Sequence, residues 1–241
     1  PTAAMTGADN VLLGSYAGYG LTDGPGNVLI GKNAGAVMTT SDYNVAIGHS
    51  ALVGLTSGSH NNIAIGMAAL FTQGYDQSGG SITDGTVNSI AIGRNALYTQ
   101  NHADAINLAI GYNAGNAVST GTGNVLIGHE AGNTLAAHNN TTCVGYNAGK
   151  GATAANCTIV GNKACGTGTM SGGNNTAIGY LAGEDLEAGA QNTLLGGYAG
   201  GELTSGNYNV MIGYDAGTQT VGGSPAAVTG STNSVVIGAL A

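Results

Sequence analysis

The chain has 241 residues, of which 45 are glycine; Phe71 is the only phenylalanine and tryptophan is absent. Glycine is usually about 7% of a chain and cores draw much of their area from aromatics, so an ordinary globular interior is excluded and a thin one of Ile, Val, Leu and Ala is implied. Four Lys and Arg against 12 Asp and Glu give a formal charge of −8, too few cations to neutralise a run of phosphates, which excludes nucleic acid and anionic membrane as partners.

Apolar residues are 42% of the chain and recur strictly, which excludes disorder despite the low charge. Cys143, Cys157 and Cys165 are an odd number and fall in or beside the repeat, as small core or flanking residues. No apolar run approaches the roughly 18 residues of a membrane span. The start, Pro1-Thr2-Ala3-Ala4-Met5, lacks the charged and apolar parts of a signal peptide, so the chain reads as a fragment or processed product.

Taken in chain order, one motif, Asn-β-x-Ile-Gly-x-x-Ala-Gly, recurs thirteen times. Its glycine is Gly14, Gly31, Gly48, Gly66, Gly93, Gly111, Gly128, Gly145, Gly161, Gly179, Gly196, Gly213 and Gly238, and ten of the twelve spacings lie between 16 and 18. An aliphatic residue always precedes the glycine, from Leu13 to Ile237, and alanine always stands three after it, from Ala17 to Ala241. Asparagine lies four before the glycine in nine copies, such as Asn27 and Asn124, and five before in the others: Asn88, Asn140, Asn156 and Asn233.

Short β-branched or aliphatic runs bounded by Asn and Gly predict strands. The glycine supplies a conformation or close approach that other residues resist. The alanine suits a turn into a narrow interior, and the asparagine can bond backbone and stack as a ladder. Seventeen residues complete one flattened coil with a short strand on each side. The predicted fold is all-β: a parallel β-solenoid of about 13 coils of 16–18 residues, one domain over 1–241, roughly 60 Å long at strand spacing.

Alternation along the three-residue strand places its first and third side chains on one face and its middle one on the other. With the pair inside, the middle residue should be polar in a monomer. It is Leu12, Leu29, Ala46, Ala64, Ala91, Ala109, Leu126, Cys143, Ile159, Ala177, Leu194, Met211 and Val236, never polar. These thirteen are therefore expected to form an interface with identical copies, burying about 600 Å², on the order of 15 kcal/mol before entropy. A later segment of the same chain folding over that face is the alternative. Closed cyclic symmetry is expected of such a contact.

Asn175-Thr-Ala-Ile-Gly-Tyr-Leu-Ala-Gly183, Asn44-Val-Ala-Ile-Gly48 and Asn107-Leu-Ala-Ile-Gly-Tyr-Asn-Ala-Gly115 resemble two related sets of repeats. One is the head repeat of trimeric autotransporter adhesins; the other is the Asn-Thr-Ala-Ile-Gly-Tyr repeat of phage tail-fibre-like proteins. The resemblance spans Asn10 to Ala241. It implies a left-handed β-roll, a homotrimer and a fibre on a virion or cell surface that holds or presents receptor-binding parts. The autotransporter repeat is shorter, so these coils are wider or carry longer turns, and its stalk, anchor and C-terminal chaperone domain have no counterpart here.

The remaining candidates are weaker. The motif also fits the first hexad of hexapeptide-repeat acyltransferases, but six residues beyond the aliphatic position stand Tyr19, Ala36, Val53, Phe71, Tyr98, Asn116, Asn133 and Lys150, with no aliphatic rule. His49, His60, His102, His129 and His138 have no metal-ligand spacing, and Glu184, Asp185 and Glu187 form the only acidic cluster, read as a solvated turn. A polysaccharide-degrading, tailspike-like enzyme would need two converging carboxylates, which the sequence does not indicate. Tyr112, Tyr146, Tyr180 and Tyr214 follow the motif glycine in every second coil, an outward row with Lys32, His49, Arg94 and His129 that suits either sugar stacking or packing over turns. Insertions at about 72–87 and 218–232 nominate Tyr75, Asp76, Gln77, Asp84 and Pro225 as contact residues. An ice-binding solenoid needs a flat threonine array; Thr142, Thr158, Thr176 and Thr193 align, at a position expected to face the core. The expected function is a non-enzymatic rigid spacer and receptor binder, self-associating, extracellular or on a virion. A cell-surface glycan or protein is its receptor, and no cofactor or metal is needed.

Overall fold

The structure, a computed structural model, describes residues 5–54, 57–71, 88–100, 105–221, 224–227 and 230–239, with 218–221 and 224–227 described as backbone only. It is an all-β parallel solenoid, and no helix occurs among the described residues. The chain forms two compact units, Pro1–Asn124 and Val125–Ala241.

The first unit stacks β1 (Val11–Leu13), β2 (Val28–Ile30), β3 (Val45–Ile47), β4 (Ile63–Ile65), β5 (Ile90–Ile92) and β6 (Leu108–Ile110) in one parallel sheet. The second stacks β7 (Val125–Ile127), β8 (Thr142–Val144), β9 (Thr158–Val160), β10 (Thr176–Ile178), β11 (Thr193–Leu195), β12 (Val210–Ile212) and β15 (Val235–Ile237) in the same way. The antiparallel pair β13 (Thr218–Val221) and β14 (Ser224–Ala227) is inserted between β12 and β15, which still pair directly. Likewise β4 pairs with β5 across the insertion at about 72–87, which lies outside the described residues.

Among the described residues each coil has one three-residue strand, not the two expected; left-handed turns make the rest. The residue two after the motif glycine has φ near +55° in coil after coil, as Asn33, Asn95, Asn113 and Asn147 illustrate. The residue five before it does the same at Asn61, Asn88, Asn140 and Asn156. Asparagine tolerates this region better than most residues, so the offset asparagines are corner residues. The motif glycines have φ of 127–144°. A Cβ on Gly48 would lie 2.6 Å from the carbonyl oxygen of Gly66 in the next coil, so the column is glycine both for its φ and for its close backbone stacking.

The facing expected of the strands is reversed. From Leu29 to Met211 the middle residues are 0% exposed within the single chain, with Leu12 and Val236 half-buried. The first and third residues face out instead, with Leu13 65% and Val235 70% exposed in the first and last coils. The reason is width: a coil of about 17 residues encloses one inward side chain per strand, met by the motif alanine and by a second inward residue that the sequence did not single out. That residue is seven after the glycine at Leu21, Met38, Val118, Leu135, Leu186 and Leu203, or four after it at Leu52, Leu70 and Leu97. Volumes compensate. The three coils with leucine at the fourth position have alanine mid-strand, Ala46, Ala64 and Ala91. Where the mid-strand residue is Leu126 the fourth position is Gly132, whose added Cβ would meet Leu126 at 2.5 Å and Leu135 at 2.8 Å.

Asparagine side chains link the coils inside. The Asn44 amide N–H donates to Asn27 Oδ1 at 3.0 Å, and that of Asn62 to Asn44 Oδ1 at 3.0 Å. In the second unit the Asn192 N–H reaches Asn175 Oδ1 at 2.9 Å and the Asn209 N–H reaches Asn192 Oδ1 at 3.0 Å. The Nδ2 groups of Asn27, Asn44, Asn175, Asn192 and Asn209 also donate to corner carbonyls, as Asn192 does to Gly206 at 2.8 Å. Ser89 is too short to span the gap, and Gln100 completes the ladder by donating to Ser89 Oγ at 2.8 Å and accepting from Asn107 Nδ2 at 3.0 Å.

Two outcomes are expected in thermal melting followed by circular dichroism. Asn192→Ala strands a buried amide and a buried carbonyl and should destabilise by about 1–3 kcal/mol. Leu70→Ala leaves a cavity in a core one side chain thick and should cost ~2–5 kcal/mol; no shift in melting temperature for either variant would contradict the packing.

Candidate functional site

Two surfaces stand out. The first is the outward face of each sheet, where alternation and register place two rows of side chains. In the first unit Val11, Val28, Val45, Ile63, Ile90 and Leu108 are in register, as are Leu13, Ile30, Ile47, Ile65, Ile92 and Ile110. In the second, one row is Val125, Thr142, Thr158, Thr176, Thr193, Val210 and Val235, and the other is aliphatic from Ile127 to Ile237. No charged residue lies in any row. The mid-strand residues named as interface from sequence line the interior, and their outward neighbours make up the outer face. The threonine row also faces out, so its expected burial no longer argues against an ice-binding array; its partner row of Val144, Val160, Ile178 and Leu195 carries no hydroxyl.

The second surface is the corner after the motif glycine. Tyr112, Tyr146, Tyr180 and Tyr214 are all exposed there, and Lys32, His49, Arg94 and His129 occupy the same place in other coils. The Arg94 guanidinium lies 5.9 Å from the Tyr112 ring centroid, a cation–π distance. His129 and Tyr146 stack at 5.0 Å with 21° between their planes, so these two rings spend their faces on each other. The next group differs. Gly197 leaves the corner open, and Tyr198, one residue later at φ +59°, sets its ring edge-on between Tyr180 and Tyr214 at 5.3 and 5.8 Å. The hydrogen bond to Tyr180 holds the Tyr198 phenol above its ordinary 10.0. Sequence spacing missed Tyr198 because it sits one place past the row; the glycine at 197 was the available signal.

Tyr75, Asp76, Gln77 and Asp84 lie outside the described residues, and Pro225 falls within β14. The carboxylates are spread over corners. Asp42 pairs with His60, Glu130 with Lys150 at 2.6 Å, and the exposed Asp185 accepts from Thr167 at 3.2 Å. Among the described residues no group of three or more His, Cys, Asp or Glu is placed to hold a metal ion, and no helix is long and apolar enough to cross a membrane.

The three cysteines are free and buried. Burial raises the Cys143 thiol far above its ordinary 9.0, with Cys165 and Cys157 adding to the effect. Burial, then Cys157, pushes Cys165 up to about 12. Burial also raises Cys157, partly offset by backbone hydrogen bonds from Asn175 and Asn174. Comparison of the chain with protein-family models, curated proteins and solved structures finds no match.

Because these folded thiols hold their protons at pH values where the unfolded ones have lost them, their contribution to stability is complete below pH 9.0 and falls as pH rises toward about 12. Urea melts at increasing pH should show that decline, and Cys143→Ser/Cys157→Ser/Cys165→Ser should flatten it. In the native protein the thiols should resist maleimide at about pH 8 and react on unfolding.

Proposed function

We propose that this chain is a structural segment of a surface fibre, on a virion or outside a cell, that self-associates through the outward face of its sheets and presents its aromatic corners to a receptor. The observation that carries this is the pair of uncharged rows on the strands of the parallel sheets. Strands apolar on both faces are covered on both faces, and the solenoid's own interior covers only the mid-strand side chains. Twelve outward aliphatic side chains in the first unit alone, at roughly 40 Å² each, leave about 500 Å² of contiguous apolar surface, as much as the largest patch soluble monomers usually expose. An identical copy matches such a repeating surface coil for coil, which favours a closed cyclic assembly. The trimer implied by the resemblance to adhesin and tail-fibre repeats is the proposed form. It acts without a cofactor or catalysis, as a spacer stiffened by its hydrogen-bonded coils.

The edge-on cluster of Tyr180, Tyr198 and Tyr214 supports a glycan or protein receptor at the corners, since aromatic rings beside polar groups suit sugars.

Light scattering after size exclusion at micromolar concentration should give about three times 23.3 kDa, and a stable monomer would remove the proposal. Ile178→Glu places an unpaired charge on the face and should weaken assembly by about 3 kcal/mol while leaving the coil folded. On a glycan array Tyr198→Ala should lower any signal about two- to tenfold; an unchanged signal removes the tyrosine cluster as the binding surface.

A further inference from the structure

The outward face of the second unit differs from that of the first in one respect. Four consecutive strands, β8 to β11, place threonine where the flanking strands β7, β12 and β15 place valine. Thr158 and Thr193 are exposed, and Thr142 and Thr176 half-exposed. Elsewhere threonine hydroxyls bond a neighbouring coil's carbonyl: Thr99 to Asn116 at 2.9 Å, Thr134 to Lys150 at 3.0 Å, Thr167 to Glu184 at 2.7 Å. None of the four outward hydroxyls makes a hydrogen bond within the chain among the described residues. They sit in an otherwise aliphatic surface, open to water and without a described partner in their own chain.

We infer that this row is a register lock, in which Thr142, Thr158, Thr176 and Thr193 of one chain hydrogen-bond their counterparts on neighbouring copies and fix the chains at the same height along the assembly. The inference rests on the self-association proposed above and adds its alignment. A hydroxyl cut off from water without a partner costs about 1–3 kcal/mol, so covering this face requires hydroxyls opposite hydroxyls. Each hydroxyl donates once and accepts, so copies around a symmetry axis can close a ring at each level. Elsewhere the pattern is degenerate, because one aliphatic coil resembles the next and a slip by one coil loses little. With the block of four, a one-coil slip sets a threonine at each end against Val125 or Val210 and strands both hydroxyls. A single polar position plays the same part in coiled coils, where it specifies register at some cost in stability.

The test uses the full chain with a thiol added on the outward face, since the three native thiols are buried. Chains carrying Val210→Cys are refolded together with chains carrying Val235→Cys, neighbours one coil apart in the same row, and oxidised. With the threonines in place, disulfides between like chains should dominate. With Thr142→Val, Thr158→Val, Thr176→Val and Thr193→Val added, the assembly should persist, with unchanged circular dichroism. Disulfides joining a V210C chain to a V235C chain should then rise at least about tenfold, equivalent to ~1.4 kcal/mol of register preference. The four Thr→Ser changes keep the hydroxyls and should keep the original pattern. An intact assembly whose cross-links do not change on Thr→Val overturns the register lock alone. A monomer by light scattering, with threonines present, overturns the self-association beneath it.

Discussion

The structure depends on how little room one coil encloses. With about 17 residues per circuit, the strand can send a single side chain inward, and everything else follows from filling and closing that space. The glycine column lets successive coils approach where a Cβ would strike the next carbonyl oxygen. The alanine three residues on keeps the far wall small, and the asparagine ladder satisfies the corner carbonyls that close packing would otherwise orphan. Stability in such a stack is a sum of coil and nearest-neighbour terms, so each element must recur in almost every coil.

That same narrowness turns two of every three strand residues outward. Alternation over three residues leaves the aliphatic majority of each strand on the outer face. The coil's own cohesion does not need Val45 and Ile47 to be apolar, since their backbones hold the ladder and Ala46 fills the interior. Both are half-buried, so a polar pair would still reach water. Their persistence as aliphatic residues in the first unit is the observation on which the proposed self-association rests.

Much of this was legible in the sequence. The period, the strands, the glycine column and the buried alanine follow from spacing alone. The facing did not, because alternation fixes which residues share a face but not which face is inside. Two signals could have decided it. In the three coils with leucine four after the glycine the mid-strand residue is alanine, as Ala64 with Leu70, and Leu126 goes with Gly132, a volume trade expected of residues in contact across an interior. Threonine is tolerated at the first strand position and never at the middle one, the pattern of a surface and a core respectively. The corner cluster was half legible: Tyr180 and Tyr214 lie in the row, whereas Tyr198 enters through a glycine that vacates its neighbour's place.

The first half of the threonine block overlaps a weak stretch of the inner ladder. At β8 and β9 the asparagine position holds Thr141 and Cys157. Thr141 still reaches the Ala154 carbonyl at 3.2 Å, but Cys157 offers only long sulfur contacts, 3.4 Å to Ala155 and 4.0 Å to Gly172. The other two threonine coils, β10 and β11, keep Asn175 and Asn192 in the ladder. In a monomer the outer hydroxyls order nothing, because they stand in water; in the proposed assembly they would add chain-against-chain alignment to a stretch where two coils lack the asparagine of the inner ladder.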